Sequence, residues 1–449
     1  MRSRTTVLLL AVLSAAALAL QGASAQTQRM TFTLQQAVAL ALERNRDVLI
    51  ADQERYKADA QITEARSGAF PQLTLTGTYS RYLQKPVLFL PPNSPINPSN
   101  STATLELGSD NSYLLGAALT QPLYSRKVGV AMEIAGTYHE YAEQSYRETT
   151  QDITLAVKRA YYTILLAQNL VAANREGLAV VAANLENVRS QHRNGTAAEF
   201  DLLRAEVELA NTEPLVTSAE NGLLLAENAL KDILALPLDQ PIELEDEFAF
   251  AEIPPSEMEQ AERDALSKNP LMLRLMLQES MLEKNISIER ANFFPTLNLI
   301  GAYQWQTQDN TFEFRNYNWA QTLNVGLQLS FPIFDGFKTS ARAEEAEIDY
   351  QKIRYSRLKT EEGIKIMIQS ARLKMAEAAK RILGQQKSIE QAQQAVRIAQ
   401  TRFKSGVGTQ LELLDTQVAM TRTRTNYARA VYEFLVAKAE WRQAVGLPD

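Results

Sequence analysis

Cysteine is absent from this 449-residue chain. Its absence excludes disulfides, thiolate metal sites and a cysteine nucleophile, and it removes the residue that a lipid anchor would need. Histidine occurs only twice, as His139 and His192. A multi-histidine metal site or a hydrolytic triad has little to work with. Positive charge is also short. There are 46 Lys and Arg against 52 Asp and Glu, a formal charge of −6. That balance gives no electrostatic case for nucleic acid. No glycine-rich phosphate loop is present, so no enzyme class is indicated, and no cofactor or metal.

The only long apolar run lies at the start. Arg2 and Arg4 precede the run from Val7 to Leu20, and Ala23-Ser24-Ala25 follows it. This is the pattern of an export signal over residues 1–25, too short for a membrane-spanning helix of ~20 residues. Its removal takes away two Arg and moves the formal charge from −6 to −8.

What remains is written twice. Phe70-Pro71-Gln72-Leu73-Thr74-Leu75 recurs as Phe294-Pro295-Thr296-Leu297-Asn298-Leu299, a shift of 224 residues from Pro71 to Pro295. Gln121-Pro122-Leu123-Tyr124 recurs as Phe331-Pro332-Ile333-Phe334, and Asn194-Gly195 as Ser405-Gly406. The halves are expected at 26–236 and 257–449. The segment 237–256 between them, with four Pro and six acids, reads as a solvated connector.

Four segments alternate with period 2, expected at about 70–82, 112–124, 294–306 and 318–333. The clearest has Leu323, Val325, Leu327 and Leu329 on one side, and Thr322, Asn324, Gln328 and Ser330 on the other. Ile300 and Ala302 weaken the third, and Tyr113 to Leu123 alternates less cleanly. Each matches the ~9–11 residues of a tilted membrane strand. Tyr79, Tyr82, Tyr113, Tyr303, Trp305 and Trp319 gather toward the same ends, as in an interfacial belt. The joining segments Leu83 to Asn111 and Gln306 to Asn318 read as long irregular loops. Four strands cannot close a barrel in lipid, where unpaired edge groups each cost several kcal/mol. Two or more chains must share one barrel, with eight strands from a dimer or twelve from a trimer.

The rest is helical, with a 3.5-residue repeat. Ile153, Val157, Ala160, Ile164, Ala167, Val171, Asn174, Leu178, Val181, Leu185, Val188 and His192 keep a four–three spacing. Ile364 to Phe403 repeats it, with Gln385 where the first copy has Asn174. This period predicts coiled-coil packing. A helix from about Arg126 to Arg193 would run roughly 100 Å at 1.5 Å per residue. A local kink is expected at Pro214. At the hairpin tips, near 195 and 406, Thr196-x-x-Glu199 and Thr409-x-x-Glu412 fit capping boxes.

The export signal, the doubled strand–helix plan, the F-P-x-L strand entries and the G-x5-[DE]-L-L tips together resemble the TolC-like outer-membrane efflux family. The resemblance implies an α+β membrane protein that forms a homotrimer. Three chains would share a 12-stranded β-barrel, four strands each, in outer-membrane lipid of a Gram-negative-type bacterium. A long periplasmic α-helical coiled-coil barrel would continue it. It implies a passive exit duct of a tripartite efflux pump or type I secretion system. The implied partners are a periplasmic adaptor (membrane fusion) protein and an inner-membrane transporter. Glu412 and Asp415 match the acids that ring the family's periplasmic mouth. Asp201 matches a gate aspartate whose Arg and Tyr partners are replaced here by Gly408 and Phe403. Gly195, Thr196, Gly406, Val407, Gly408 and Thr409 match the adaptor-docking tips. The competing reading is a soluble periplasmic coiled-coil adaptor or scaffold, which leaves the alternating strands without a role.

Overall fold

The computed structural model describes residues 29–246, 248–251 and 253–447. The expected export signal at 1–25 lies outside them. The described chain falls into two compact units, each drawing on both halves of the sequence. One comprises 53–144 and 274–359; the other takes the described parts of 1–52, 145–273 and 360–449.

The first unit is built on a four-stranded antiparallel sheet. Its strands are β2 (Gln72–Arg81), β5 (Asn111–Tyr124), β7 (Thr296–Asp309) and β8 (Ala320–Ser330), in the order β2-β5-β7-β8. Register decides which residues share a face. Leu75 stands opposite Ala117, Ala117 opposite Tyr303, and Tyr303 opposite Leu323. One row further, Leu73, Leu119, Gly301 and Val325 align. This face is apolar across all four strands. The other carries Thr74, Ala118, Ala302 and Asn324, then Thr76, Gly116, Gln304 and Thr322. Ile300, irregular in the sequence pattern, fits here because Gly326 stands opposite and leaves it room. The apolar side chains have no cover of their own: Leu323, Val325, Leu327 and Leu329 are each about two-thirds exposed or more. Beyond β8, Phe331, Ile333, Phe334 and Phe337 extend the exposed apolar surface.

The joining loops are more ordered than expected. Within 83–111, β3 (Val87–Leu90) pairs antiparallel with β4 (Ala103–Glu106). The β7–β8 loop brings Phe314 and Tyr317 onto Tyr113, which stacks on Tyr79 at 4.9 Å. Lys85 pairs with Asp110 at 2.8 Å. Helices α2 (Arg46–Ser67) and α6 (Pro270–Ala291) lead into β2 and β7, while α3 (Arg126–Arg193) and α7 (Lys338–Lys404) lead away from β5 and β8. Among the described residues no helix is long and apolar enough to cross a membrane.

The second unit is helical. It contains α1 (Leu34–Arg44), α5 (Pro255–Lys268), the distal stretches of α3 and α7, and the returning helices α4 (Glu199–Ile233) and α8 (Gln410–Ala444). The heptad positions form its seams. Val157, Ile164, Val188, Ile364, Ala378 and Ile382 are all buried. Asn174 turns its amide onto its own helix, donating to Leu170 O at 2.8 Å. Helix α4 runs unbroken through Pro214.

Polar contacts set the order of the long helices as α4-α3-α8-α7. Arg175 and Glu220 join α3 to α4 at 2.6 Å. Arg159 and Glu440 join α3 to α8 at 2.6 Å, and Lys374 reaches the other oxygen of Glu440 from α7 at 3.2 Å. The end helices carry unpartnered apolar residues: Phe200, Leu203, Val207 and Leu225 on α4, and Ile366, Leu373, Leu383 and Ile398 on α7.

Two devices recur between the halves. Asn45 separates α1 from α2, donating to Ile233 O at the end of α4 (2.9 Å) and accepting from Asp47 N (2.9 Å). Asn269 does the same between α5 and α6, donating to Ala444 O (3.0 Å) and accepting from Met272 N (3.3 Å). Each buried amide thus caps one helix end and starts another, satisfying groups that helix termini leave unpaired.

The connector between the halves is structured, contrary to the expectation of a solvated linker. Ile242–Leu244 forms β6, parallel to β1 (Met30–Phe32). Asp246 accepts from Leu34 N at the start of α1 and from the buried Tyr161 hydroxyl at 2.8 Å. Phe248, Phe250 and Ile253 pack on the helical core. Burial first, and then the bond to Asp246, push the Tyr161 phenol above its ordinary range. Tyr161→Phe is therefore expected to weaken this attachment by about 1–3 kcal/mol. Limited proteolysis within 237–246 should speed up by about tenfold; an unchanged rate would assign the hold to apolar packing alone.

Candidate functional site

The sequence points to the tips of the two helical hairpins. At the first, α3 ends at Arg193, and Gly195 takes φ 73°. Gly195 N–H donates to His192 O at 2.9 Å, and Thr196 N–H to Gln191 O at 2.9 Å. At the second, Gly406 takes φ 74°, and both Val407 and Gly408 N–H donate to Arg402 O, at 3.1 and 3.0 Å. Both are left-handed helix terminations, where glycine escapes the Cβ clash.

The caps differ between the tips. Thr409 is the N-cap of α8 and accepts from Glu412 N at 3.1 Å. At the first tip the expected capping box does not form. The N-cap is Ala198, without a side-chain bond. Thr196 turns its hydroxyl back to donate to Gln191 O at 3.0 Å. The chain needs two more residues here before the helix begins, so Thr196 cannot reach the N–H of Glu199. His192 Nδ1 lies 3.2 Å from Ala197 O, within the same turn.

The carboxylates are placed unequally. Asp201 sits half-buried in the first turn of α4. Glu412 is exposed and lies 3.5 Å from Arg402 Nε. Asp415, one turn further along α8, is exposed and has no partner among the described residues. No group of three or more candidate metal ligands occurs among the described residues.

Gly408 stands where the resemblance expects a gate arginine, and the turn there is tight. A Cβ on it would stand 2.9 Å from Arg402 Cβ and 3.0 Å from Phe403 N. The turn is too tight for any side chain. Arg402 occupies the neighbourhood from the last turn of α7, with its Nη2 3.5 Å from Val407 O and its Nε toward Glu412. Sequence reasoning missed Arg402. The available signal was a basic residue in the last helical turn, facing an acid across a short loop. Phe403 is half-buried beside it.

These features define a chain with a lipid-compatible β-sheet and a helical-hairpin unit whose tips hold carboxylates. Comparison with known proteins agrees. The family described as "Outer membrane efflux protein" matches residues 37–236 and 262–447. The chain belongs to this outer-membrane channel family, which is not an enzyme family. It is 22% identical over 412 residues to "Outer membrane protein TolC" of Vibrio cholerae serotype O1, covering 90% of this chain and 89% of that one. It is 22% identical to the "Alkaline protease secretion protein AprF" of Pseudomonas aeruginosa, covering 76% of this chain and 70% of that one. Among solved structures, the Campylobacter jejuni CmeC outer membrane channel superposes with a TM-score of 0.78 at 17% identity, over 92% of this chain and 85% of that one.

Placing at 408 the arginine that the resemblance expects should damage this tip. In Gly408→Arg the turn from Lys404 to Thr409 must open, and protease cleavage there should rise at least about tenfold, the scale of a lost tight contact. An intact, protease-resistant tip would show that the turn can rearrange.

Proposed function

We propose that this protein is the outer-membrane exit duct of a tripartite efflux pump or a type I secretion system. It works without covalent chemistry. An inner-membrane transporter supplies energy, a periplasmic adaptor docks at the hairpin tips, and cargo leaves through a shared tunnel.

The observation that carries this reading is the four-stranded sheet with one mainly apolar face, on which Leu323, Val325, Leu327 and Leu329 stand exposed, a more polar opposite face, and edges β2 and β8 unpaired among the described residues. In lipid such edges must be paired, and four strands are too few to pair with themselves. The helical unit has two unlike ends of its own, the apolar stripes of α4 and α7. An interface joining unlike surfaces closes into a ring when the rotation permits. Three copies give the twelve-stranded barrel of the resembled family, so the assembly is a homotrimer. A soluble scaffold would leave the apolar sheet face in water.

Within this reading Glu412 and Asp415 line the periplasmic constriction. Three chains place six carboxylates there and favour cations. The two acids are not equivalent. Arg402 lies 3.5 Å from Glu412, while Asp415 has no such partner among the described residues. Asp201, with Gly408 and Phe403 where the family has Arg and Tyr, closes the mouth by other contacts. Gly195, Thr196, Gly406, Val407, Gly408 and Thr409 form the adaptor-docking tips.

Single-channel recording in planar bilayers tests both the duct and the constriction. Purified protein should give stable cation-selective steps. Asp415→Asn should reduce cation selectivity and multivalent-cation block more than Glu412→Gln, each by several-fold, as expected for an unpaired against a paired surface charge. Equal effects would remove the role given to Arg402. Loss of neither property would move the constriction away from these acids.

A further inference from the structure

The two halves of the helical unit are built alike and can be compared position by position. Helix α1 packs on α3 and α4 as α5 packs on α7 and α8. With Asn45 matched to Asn269, Ala37 and Ala41 of α1 fall on Ala261 and Ala265 of α5, and all four are buried. With Asn174 matched to Gln385, Val157 and Ile164 of α3 fall on Ile368 and Met375 of α7, and these four are buried as well.

The match fails at one place. In the first half, Tyr161 and Leu165 are buried beneath α1, and Val38 packs on the same cluster. The second half has Arg372, Ala376 and Glu262 at these three positions. Leucine to alanine removes volume. The two charged side chains meet each other at the surface, 3.6 Å apart, in place of the core. The result is a cavity of about 300 Å³ beside α5, α7 and α8, lined by Ile253, Met258, Met375, Ala376, Ala379 and Phe434 among others. Interiors are close-packed, so a gap of this size in one of two like copies marks a local change of side chains and not a loose fold.

The cavity has the make-up of a small-molecule site: a volume at the lower end of about 300–1,000 Å³, apolar walls and a few polar groups at the edge. Phe434 is fixed by an edge-on contact with Phe250 at 4.6 Å. Met258 and Met375 supply thioethers, which favour contact with aromatic rings. The charged groups of the lining are Glu259, Glu262 and Arg372. Arg372 is matched with Glu262, which also accepts from Trp441 Nε1 at 3.4 Å. Glu259 is exposed and has no ion-pair partner among the described residues. The rim therefore carries one uncompensated negative charge.

We propose that this cavity binds a small organic cation that carries an aromatic ring. The ring enters among Met258, Met375 and Phe434, and the cationic group stays at the rim beside Glu259. Phe434 lies about 33 Å along α8 from Glu412 at 1.5 Å per residue, so the site is separate from the tip carboxylates. The duct reading neither requires it nor supplies it.

Isothermal titration of the full protein, in a detergent without aromatic groups, with benzyltrimethylammonium tests this. Saturable binding of one ion per chain is expected. Phenylmethanesulfonate, an anion of the same shape, should bind at least about tenfold more weakly. In Glu259→Gln the ammonium ion should lose about threefold to fivefold in affinity, the scale of one exposed charge pair, and the sulfonate should lose none. The double variant Arg372→Tyr/Ala376→Leu gives the second half the side chains of the first, a packing the chain already contains, and should abolish binding. Absence of saturable binding to the unaltered protein would overturn the proposal, and that result does not depend on any variant folding. Equal affinity for the two ions, or binding that survives in the folded double variant, would overturn it too. Loss of binding in Glu412→Gln/Asp415→Asn would assign the ion to the tips and overturn it likewise.

Discussion

Backbone hydrogen bonding at the edges of one sheet governs what this chain can be. Strands β2 and β8 each present a row of N–H and C=O groups with no partner strand among the described residues. Their side chains make water a poor environment on one face, and the unpaired backbone makes lipid a poor one at the edges. On the proposed duct reading, pairing β2 of one copy with β8 of another meets both demands, and assembly is then a condition of the fold in its membrane.

The helical unit meets its own requirement by different means. Its seams are lined by Ala, Val and Ile at heptad spacing, so long helices approach closely and need few polar contacts. Where polar contacts do occur they carry information about strength. Glu440 is held from both sides, by Arg159 and Lys374, at the end remote from the tips. Nearer the tips, both polar atoms of the buried Asn184 amide and the Oε1 of Gln417 have no hydrogen-bond partner among the described residues. Arg402 acts on a smaller scale in the same way, since it restrains one carboxylate of a pair and leaves the other to face solvent.

Much of this was legible in the sequence because the governing features are periodic. A repeat of 3.5 residues sustained over Ile153 to His192 admits one packing mode. Alternation from Thr322 to Ser330 admits one kind of strand. Both survive without knowledge of neighbours. Features that depend on a single partner were not legible. The strands β1 and β6 have three residues each, too few to show a period. Asn45 and Asn269 match across the halves, but a lone Asn gives no sign of which carbonyl it will meet. Thr196 had the spacing of a cap, and the turn at Gly195 diverted its hydroxyl to Gln191. Gly408 stands where the resemblance expects an arginine; only the distance to Arg402 showed that a Cβ there would force the turn to shift.

The parallel pairing of β1 with β6 bears on how the protein is made. Met30 pairs with Ile242, and Phe32 with Leu244, so the strand nearest the start of the described chain waits for a partner more than two hundred residues later. Asp246 follows at once and fastens both α1 and Tyr161. A chain delivered from its amino end cannot complete the base of its first half until the connector has also arrived. Loop closure over such a separation is slow compared with forming either helical hairpin. The base of the first half is thus completed late in the order of folding, and the acidic connector is the segment that closes it.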